Sequence, residues 1–170
     1  DIGGELKWHA VIEQDRQVIN RSDLYLVSED DLLIPASRAL PVELLNKVAN
    51  FDTTALAPYS PDLIADWTTE IYQLSLADAS LVARQRVVDA AKKHIREYTL
   101  ADKNVRELTC GSLGLSVNTF KLVLLPVWVT SYLYKSNRYP VAINGQTGQV
   151  AGSLDRNKTQ KLLAWIFGEE

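Results

Sequence analysis

Apolar and polar positions alternate, imperfectly, from the first residues of the chain. "ELKWHAVIEQDRQVI" places polar Glu13 to Arg16 between two apolar stretches and predicts two short strands joined by a turn. "SDLYLVSEDDLLIPAS" gives another pair of short apolar runs, broken by Glu29, Asp30 and Asp31. In "RALPVELLNKVANF" Pro41 can open a helix whose one face holds Val42, Leu45, Val48 and Ala49. "DTTALAPYSPDLIADW", with Pro58 and Pro61, reads as an ordered loop ending in a helical turn, and β-branched "TTEIYQLS" reads as a strand.

The strongest helical period lies between Leu76 and Tyr98. Ser75 with Asp78 forms a capping-box-like start, and Ala77, Leu81, Val88, Ala91, Ile95 and Tyr98 recur along one face. Arg86, Asp89, Lys93 and Glu97 occupy the other. From Asn104 onward the pattern is strand material, with turns at Ser136-Asn137 and at "NGQTG", so a three-stranded meander is expected. "DRNKTQKLLAWIFGEE" closes the chain as a helix with Leu162, Leu163, Ile166 and Phe167 apolar. The pattern predicts a single α+β domain over 1–170: a mainly antiparallel sheet with a C-terminal meander, one long helix packed on it and shorter helices.

"YPVAINGQTGQVAG" raises a choice between a phosphate cradle and a hairpin tip. A dinucleotide fingerprint needs G-x-G-x-x-G between a strand and a helix. Here the glycines fall as G-x-x-G-x-x-x-G, the residues after Gly148 are few and strand-like, and no Gly-Lys-Ser/Thr occurs. Asn144 and Gly145 tolerate positive φ, Gly148 can take the left-handed position, and Asn144 and Thr147 can bond the local backbone. A turn is the expectation.

Composition changes this picture little. With 46% hydrophobic and 23% charged residues the chain sits at the globular average, and a net charge of −3 gives no global pull toward nucleic acid or anionic lipid. One cysteine, Cys110, excludes an internal disulfide and suits a reducing compartment. No run reaches the about 18 apolar residues that a membrane span requires. Methionine is absent, position 1 included, so Asp1 is expected to be a trimmed end.

Candidate chemistry is sparse. His9, His94 and Cys110 lie far apart and form no zinc-ligand spacing, while Glu29, Asp30 and Asp31 lack the spacing of a calcium loop and read as a solvated acidic turn. No metal or cofactor is expected in this chain. Cys110 in "LTCGSLG" is a candidate nucleophile for a hydrolase, although a lone cysteine in an apolar strand reads more simply as buried filler. Arg84, Arg86, Lys92, Lys93 and Arg96 gather on the long helix and form a candidate nucleic-acid face, with Asp89 and Glu97 favouring an ordinary solvated surface. Trp128, Tyr132 and Tyr134, near Tyr139, share one face at strand spacing. That face is either a partner groove or core beneath the long helix, and the need to cover a sheet face favours core.

Two stretches, "LLIPASRALP" and "TFKLVLLPVWVTSYLYKSNRYPVAINGQTGQVAG", carry a resemblance. With Pro35, Ala36, Ser37, Pro58, Tyr59, Glu70, Tyr72, Thr119, Phe120, Lys121, Leu125, Pro126, Trp128, Tyr132, Tyr134, Asn144, Gly145, Thr147, Gly148 and Gly152, the chain resembles the conserved region of bacterial zinc-ribbon membrane proteins of uncharacterised function. Members of that family are often labelled primosomal or helicase-like. The resemblance implies zinc ribbons before this region, membrane segments after it, and a cytoplasmic, membrane-proximal location, with zinc only in the ribbons. It implies no activity, and the missing Walker loop speaks against a helicase. The expectation is a non-enzymatic binding or scaffold domain with a protein partner. The alternatives are a nucleic-acid accessory domain using the basic helix and a hydrolase using Cys110.

Overall fold

The computed structural model describes residues 1–152 and shows an α+β protein. The helix expected near the C-terminus, with Leu162, Leu163, Ile166 and Phe167, lies outside the described residues. Expected from sequence to be one domain, the chain forms two compact units. The first comprises Asp1–Ile34 and Leu74–Leu122; the second comprises Pro35–Gln73 and the chain from Val123.

The first unit is built on a long hairpin. β1 (Ile2–Gln14) and β2 (Gln17–Glu29) each run 13 residues, longer than the short strands expected. Polar Asn20 to Asp23 interrupts the apolar pattern without ending β2, because that stretch is exposed and need not be apolar. Inward residues of β1 fall at every second position: Ile2, Leu6, Trp8, Ala10 and Ile12 are all buried. On its other side β1 pairs antiparallel with β3 (Asn104–Cys110) toward one end and β4 (Gly114–Val117) toward the other.

The long helix α2 (Leu76–His94) covers this sheet. Its start is the one the sequence predicts, since the Ser75 hydroxyl oxygen accepts from the Asp78 N–H at 3.1 Å. Val87, Val88 and Ala91 pack on Ile2, Leu6 and Leu115, while Ile95 and Leu100 pack on Trp8, Ala10 and Ile12. Burying each of the larger of these side chains stabilises the fold by about 1.5–3 kcal/mol. Three positions expected on the apolar face are corrected: Ala77 is exposed, Leu81 is 65% and Tyr98 is 72% exposed. Periodicity marks a stripe but not how far it is covered, and the buried positions begin only at Val87. At the other end the chain widens into a π turn, Ile95–Thr99, with the Leu100 N–H donating to the Ile95 carbonyl at 2.9 Å. That wider turn carries Leu100, not Tyr98, into the core.

The second unit is the expected meander, β5 (Val127–Tyr134), β6 (Asn137–Asn144) and β7 (Val150–Gly152), all antiparallel. Its cover is the short helix α1 (Val42–Lys47). Leu40, Leu44 and Val48 pack on Ala142 and Ala151. Val42, expected on the inner face, is 45% exposed, because Pro41 starts the helix with Leu44 turned inward. The segment Thr68–Ser75, expected as a strand, has no regular structure. Its β-branched residues find no ladder; one backbone bond, from the Gln73 N–H to the Ala36 carbonyl at 2.7 Å, ties it to the "LIPAS" stretch. A short 3-10 turn, Pro61–Leu63, ends the proline loop as expected. The tight turn between β5 and β6 is one residue earlier than expected, at Lys135 and Ser136, both at positive φ.

Candidate functional site

The glycine stretch resolves as a turn whose polar side chains hold the end of α1. Asn144 is fully buried and uses its whole amide. Its Nδ2 donates to the carbonyls of Val48 and Asn50, both at 2.9 Å, and its Oδ1 accepts from the N–H groups of Gln146 and Thr147. Gln146 adds a reciprocal pair with the Asp52 main chain, accepting its N–H at 2.6 Å and donating to its carbonyl at 3.2 Å. Gln149 donates to the Lys47 carbonyl at 2.8 Å. The Thr147 hydroxyl accepts from the Gln149 N–H at 3.3 Å. Gly148 takes the left-handed position (φ 74°). Gly145 is needed for another reason: a Cβ there would sit 2.8 Å from the Pro126 Cβ and 2.9 Å from its carbonyl oxygen. The amide side chains of Asn144, Gln146 and Gln149 thus all bond main chain between Lys47 and Asp52. Beside them the Thr54 hydroxyl and N–H hold the Asp52 carboxyl below its usual range.

Aromatic side chains form the most distinctive surface of the same unit. Trp128, Thr130, Tyr132 and Tyr134 point to one side of β5, as the alternation predicts. They are not core beneath the long helix: Trp128 is 58% and Tyr134 39% exposed. The reason is topological, since the long helix packs in the other unit and α1 lies on the opposite face of the meander, over Ala142 and Ala151. Trp67, unconnected with these residues in the sequence pattern, meets Trp128 edge to face with ring centroids 5.8 Å apart. Farther along, Tyr132 stacks on Tyr139 at 5.5 Å, and Tyr134 leans on Tyr139 at 6.5 Å. The Lys135 ammonium lies 5.5 Å over the Tyr134 ring. The Tyr132 hydroxyl oxygen is enclosed and has no hydrogen-bond partner among the described residues. Burial, and then the neighbouring Tyr139, pushes its phenol up.

The basic helix divides in two. Arg84 donates to the Leu115 carbonyl and Arg86 to the Leu33 carbonyl, the latter at 2.9 Å. Both are half-buried, and burial pulls the Arg86 guanidinium below its ordinary value. Lys92 is half-buried; Lys93 and Arg96 are exposed, with Lys93 4.0 Å from Glu97. His94 is exposed and lies tilted between the rings of Tyr25 and Tyr98, with centroids 5.4 and 4.6 Å away.

Cys110 ends β3, half-buried against both core clusters of the first unit. Burial pushes its thiol up, against a smaller opposing pull from Lys92. In the acidic turn Asp31 pairs with Lys121 at 3.1 Å. Among the described residues no group of three or more His, Cys, Asp or Glu is placed to hold a metal, and no helix is long and apolar enough to cross a membrane.

No family model and no solved structure matches the chain. It is similar to the uncharacterized protein YdjG of Bacillus subtilis (strain 168), with 30% identity over 139 residues. The aligned part is 76% of this chain and 40% of YdjG, so the chain spans about two fifths of that relative's length.

Proposed function

We propose that the chain is a non-enzymatic binding module of a membrane-associated zinc-ribbon protein, holding a protein partner against the aromatic strip of β5 near the cytoplasmic face of the membrane. The observation that carries this reading is the Trp67–Trp128 pair, two indoles in edge contact with each more than half exposed. A tryptophan covers about 150–250 Å² when buried, and tryptophan and tyrosine are enriched among the residues that dominate binding energy at interfaces. Lys135 over Tyr134 supplies a polar rim beside the aromatic centre. The zinc-ribbon and membrane setting rests on the sequence resemblance.

The test is quantitative affinity purification of the full-length protein from its own cells. Wild type is compared with Trp67→Ala, with Trp128→Ala and with Glu43→Ala, a substitution on α1. Loss of one reproducible partner in both tryptophan variants, and its retention in the control, is the expected result. Equal recovery from all four proteins would sink the reading. So would turnover of a hydrolytic or nucleotide substrate that a single substitution abolishes.

A further inference from the structure

β2 is an edge strand. Only β1 pairs with it among the described residues, and every β2 residue except Tyr25 and Val27 is exposed. The turn fixes which backbone groups that edge offers. Asp15 and Arg16 both have positive φ (50° and 64°), and Gln14 faces Gln17 across them. A two-residue turn of this kind closes on a hydrogen-bonded pair, after which bonded and non-bonded pairs alternate. The register with β1 is unbroken from Gln17 to Glu29, so odd-numbered residues of β2 bond to β1. Even-numbered residues from Val18 to Ser28 turn their N–H and C=O groups outward. Leu24 agrees with this parity: its N–H is held at 2.8 Å by the Asp23 carboxylate rather than by a strand.

We propose that this edge pairs with the same edge of a second copy of the chain, antiparallel and centred on Ser22. Two-fold pairing about Ser22 sets Arg21 opposite Asp23 of the other copy, twice, in the close non-bonded positions. Moving the centre by one residue either way sets Arg21 on Arg21 or Asp23 on Asp23. The two charges therefore select one register and reject its neighbours. On the open face the same register places Val18, 56% exposed, against Leu26, 75% exposed, again twice.

On the helix-covered face it places Ile19 of the second copy beside Tyr25. There β2 and α2 border a groove of about 250 Å³, whose walls mix apolar Val27, Val87 and Ala91 with polar Ser28, Glu29 and His94. Ile19 itself is 43% exposed in the single chain. On pairing, the Leu24 N–H passes to the Asn20 carbonyl of the second copy, and Asp23 is released to meet Arg21.

Sedimentation equilibrium on the 170-residue chain tests this. A concentration-dependent dimer is expected. Arg21→Asp and Asp23→Arg each put like charges at both contacts and weaken it by about tenfold or more. The Arg21→Asp/Asp23→Arg double variant restores attraction in the reversed sense and recovers the dimer. Independently, Ser22→Cys in a Cys110→Ser background forms an intermolecular disulfide on oxidation, because bonded cross-strand Cα atoms lie about 5.5 Å apart. Should a charge reversal unfold the chain, as circular dichroism would reveal, the Ser22 cross-link decides the matter. A chain that stays monomeric, including one that binds another protein's strand at this edge, overturns the proposal. So does a dimer indifferent to both reversals, a double variant that folds but is not rescued, or failure of the cross-link.

Discussion

Asn144, at the end of β6, donates its Nδ2 to the carbonyl of Val48, the residue that caps α1, at 2.9 Å. Its other amide hydrogen goes to Asn50, and its oxygen receives two N–H groups of the adjoining turn. One buried side chain therefore joins a helix exit to a hairpin tip. Val48 also packs in the apolar cluster with Leu44, Ala142 and Ala151.

Asn144→Ala strands the Val48 and Asn50 carbonyls and two turn donors, and should destabilise the second unit by about 2–4 kcal/mol. Urea unfolding followed by tryptophan fluorescence, through Trp67 and Trp128, measures it. Asn144→Asp should cost at least as much at neutral pH, since a carboxylate would face two carbonyls. That penalty should shrink as pH falls, because the neutral acid can donate once and burial raises its pKa.

Both tight hairpin turns place non-glycine residues at positive φ: Asp15 and Arg16 in one, Lys135 and Ser136 in the other. Asn-Gly suits such turns better. Asp15→Asn with Arg16→Gly should stabilise the first unit by about 1 kcal/mol, and Lys135→Asn with Ser136→Gly should do the same for the second. Thermal melts of the two double variants are the check. No gain in either would mean that both loops close with some other backbone geometry.

Cys110 should be a slow nucleophile. Burial favours the neutral thiol, so its thiolate population near pH 8 lies below that of an ordinary cysteine. Its reaction with a disulfide probe should run about tenfold or more slower in the folded chain than in urea. The same shift has a stability consequence of defined sign. The fold favours the protonated form, so the contribution is complete below the ordinary thiol range and declines as pH rises through it. Cys110→Ala should remove that decline.

Arg86 should matter for stability more than for charge. Its guanidinium is half-buried and donates to the Leu33 carbonyl, so Arg86→Ala should cost the first unit about 1–3 kcal/mol. DNA titrations at low and moderate salt should show only weak binding and a shallow salt slope. A steep slope, reduced by Lys92→Ala, Lys93→Ala and Arg96→Ala, would instead favour the nucleic-acid reading.

Local signals were legible in the sequence; contacts across the chain were not. Ser75 and Asp78 marked the start of α2 because a helix cap is complete within four residues. Asn144, Thr147 and Gly148 marked a turn for the same reason. Thr68–Ser75 misled because a strand is made by its neighbour, and β-branched composition does not supply one. β2 looked shorter than it is because an exposed edge tolerates Asn20, Arg21, Ser22 and Asp23 in the middle of a strand. No spacing connects Trp67 with Trp128, so the aromatic strip was only half visible. The exposure of Trp128 followed from which helix covers which sheet, and periodicity carries no such information.

The interleaving of the two units limits how this protein can be dissected. The polypeptide passes from one to the other after Ile34, after Gln73 and after Leu122. No single stop codon or protease cut can therefore release either one whole. Ending the gene at Leu122 would strip Leu44 and Val48 of the strands they rest on, and deleting the first 34 codons would leave α2 with no sheet beneath it. Preparing the first unit alone requires a genetic splice of Ile34 to Leu74. During synthesis that unit must also wait, because β1 completes its pairing with β4 only when Val117 has left the ribosome.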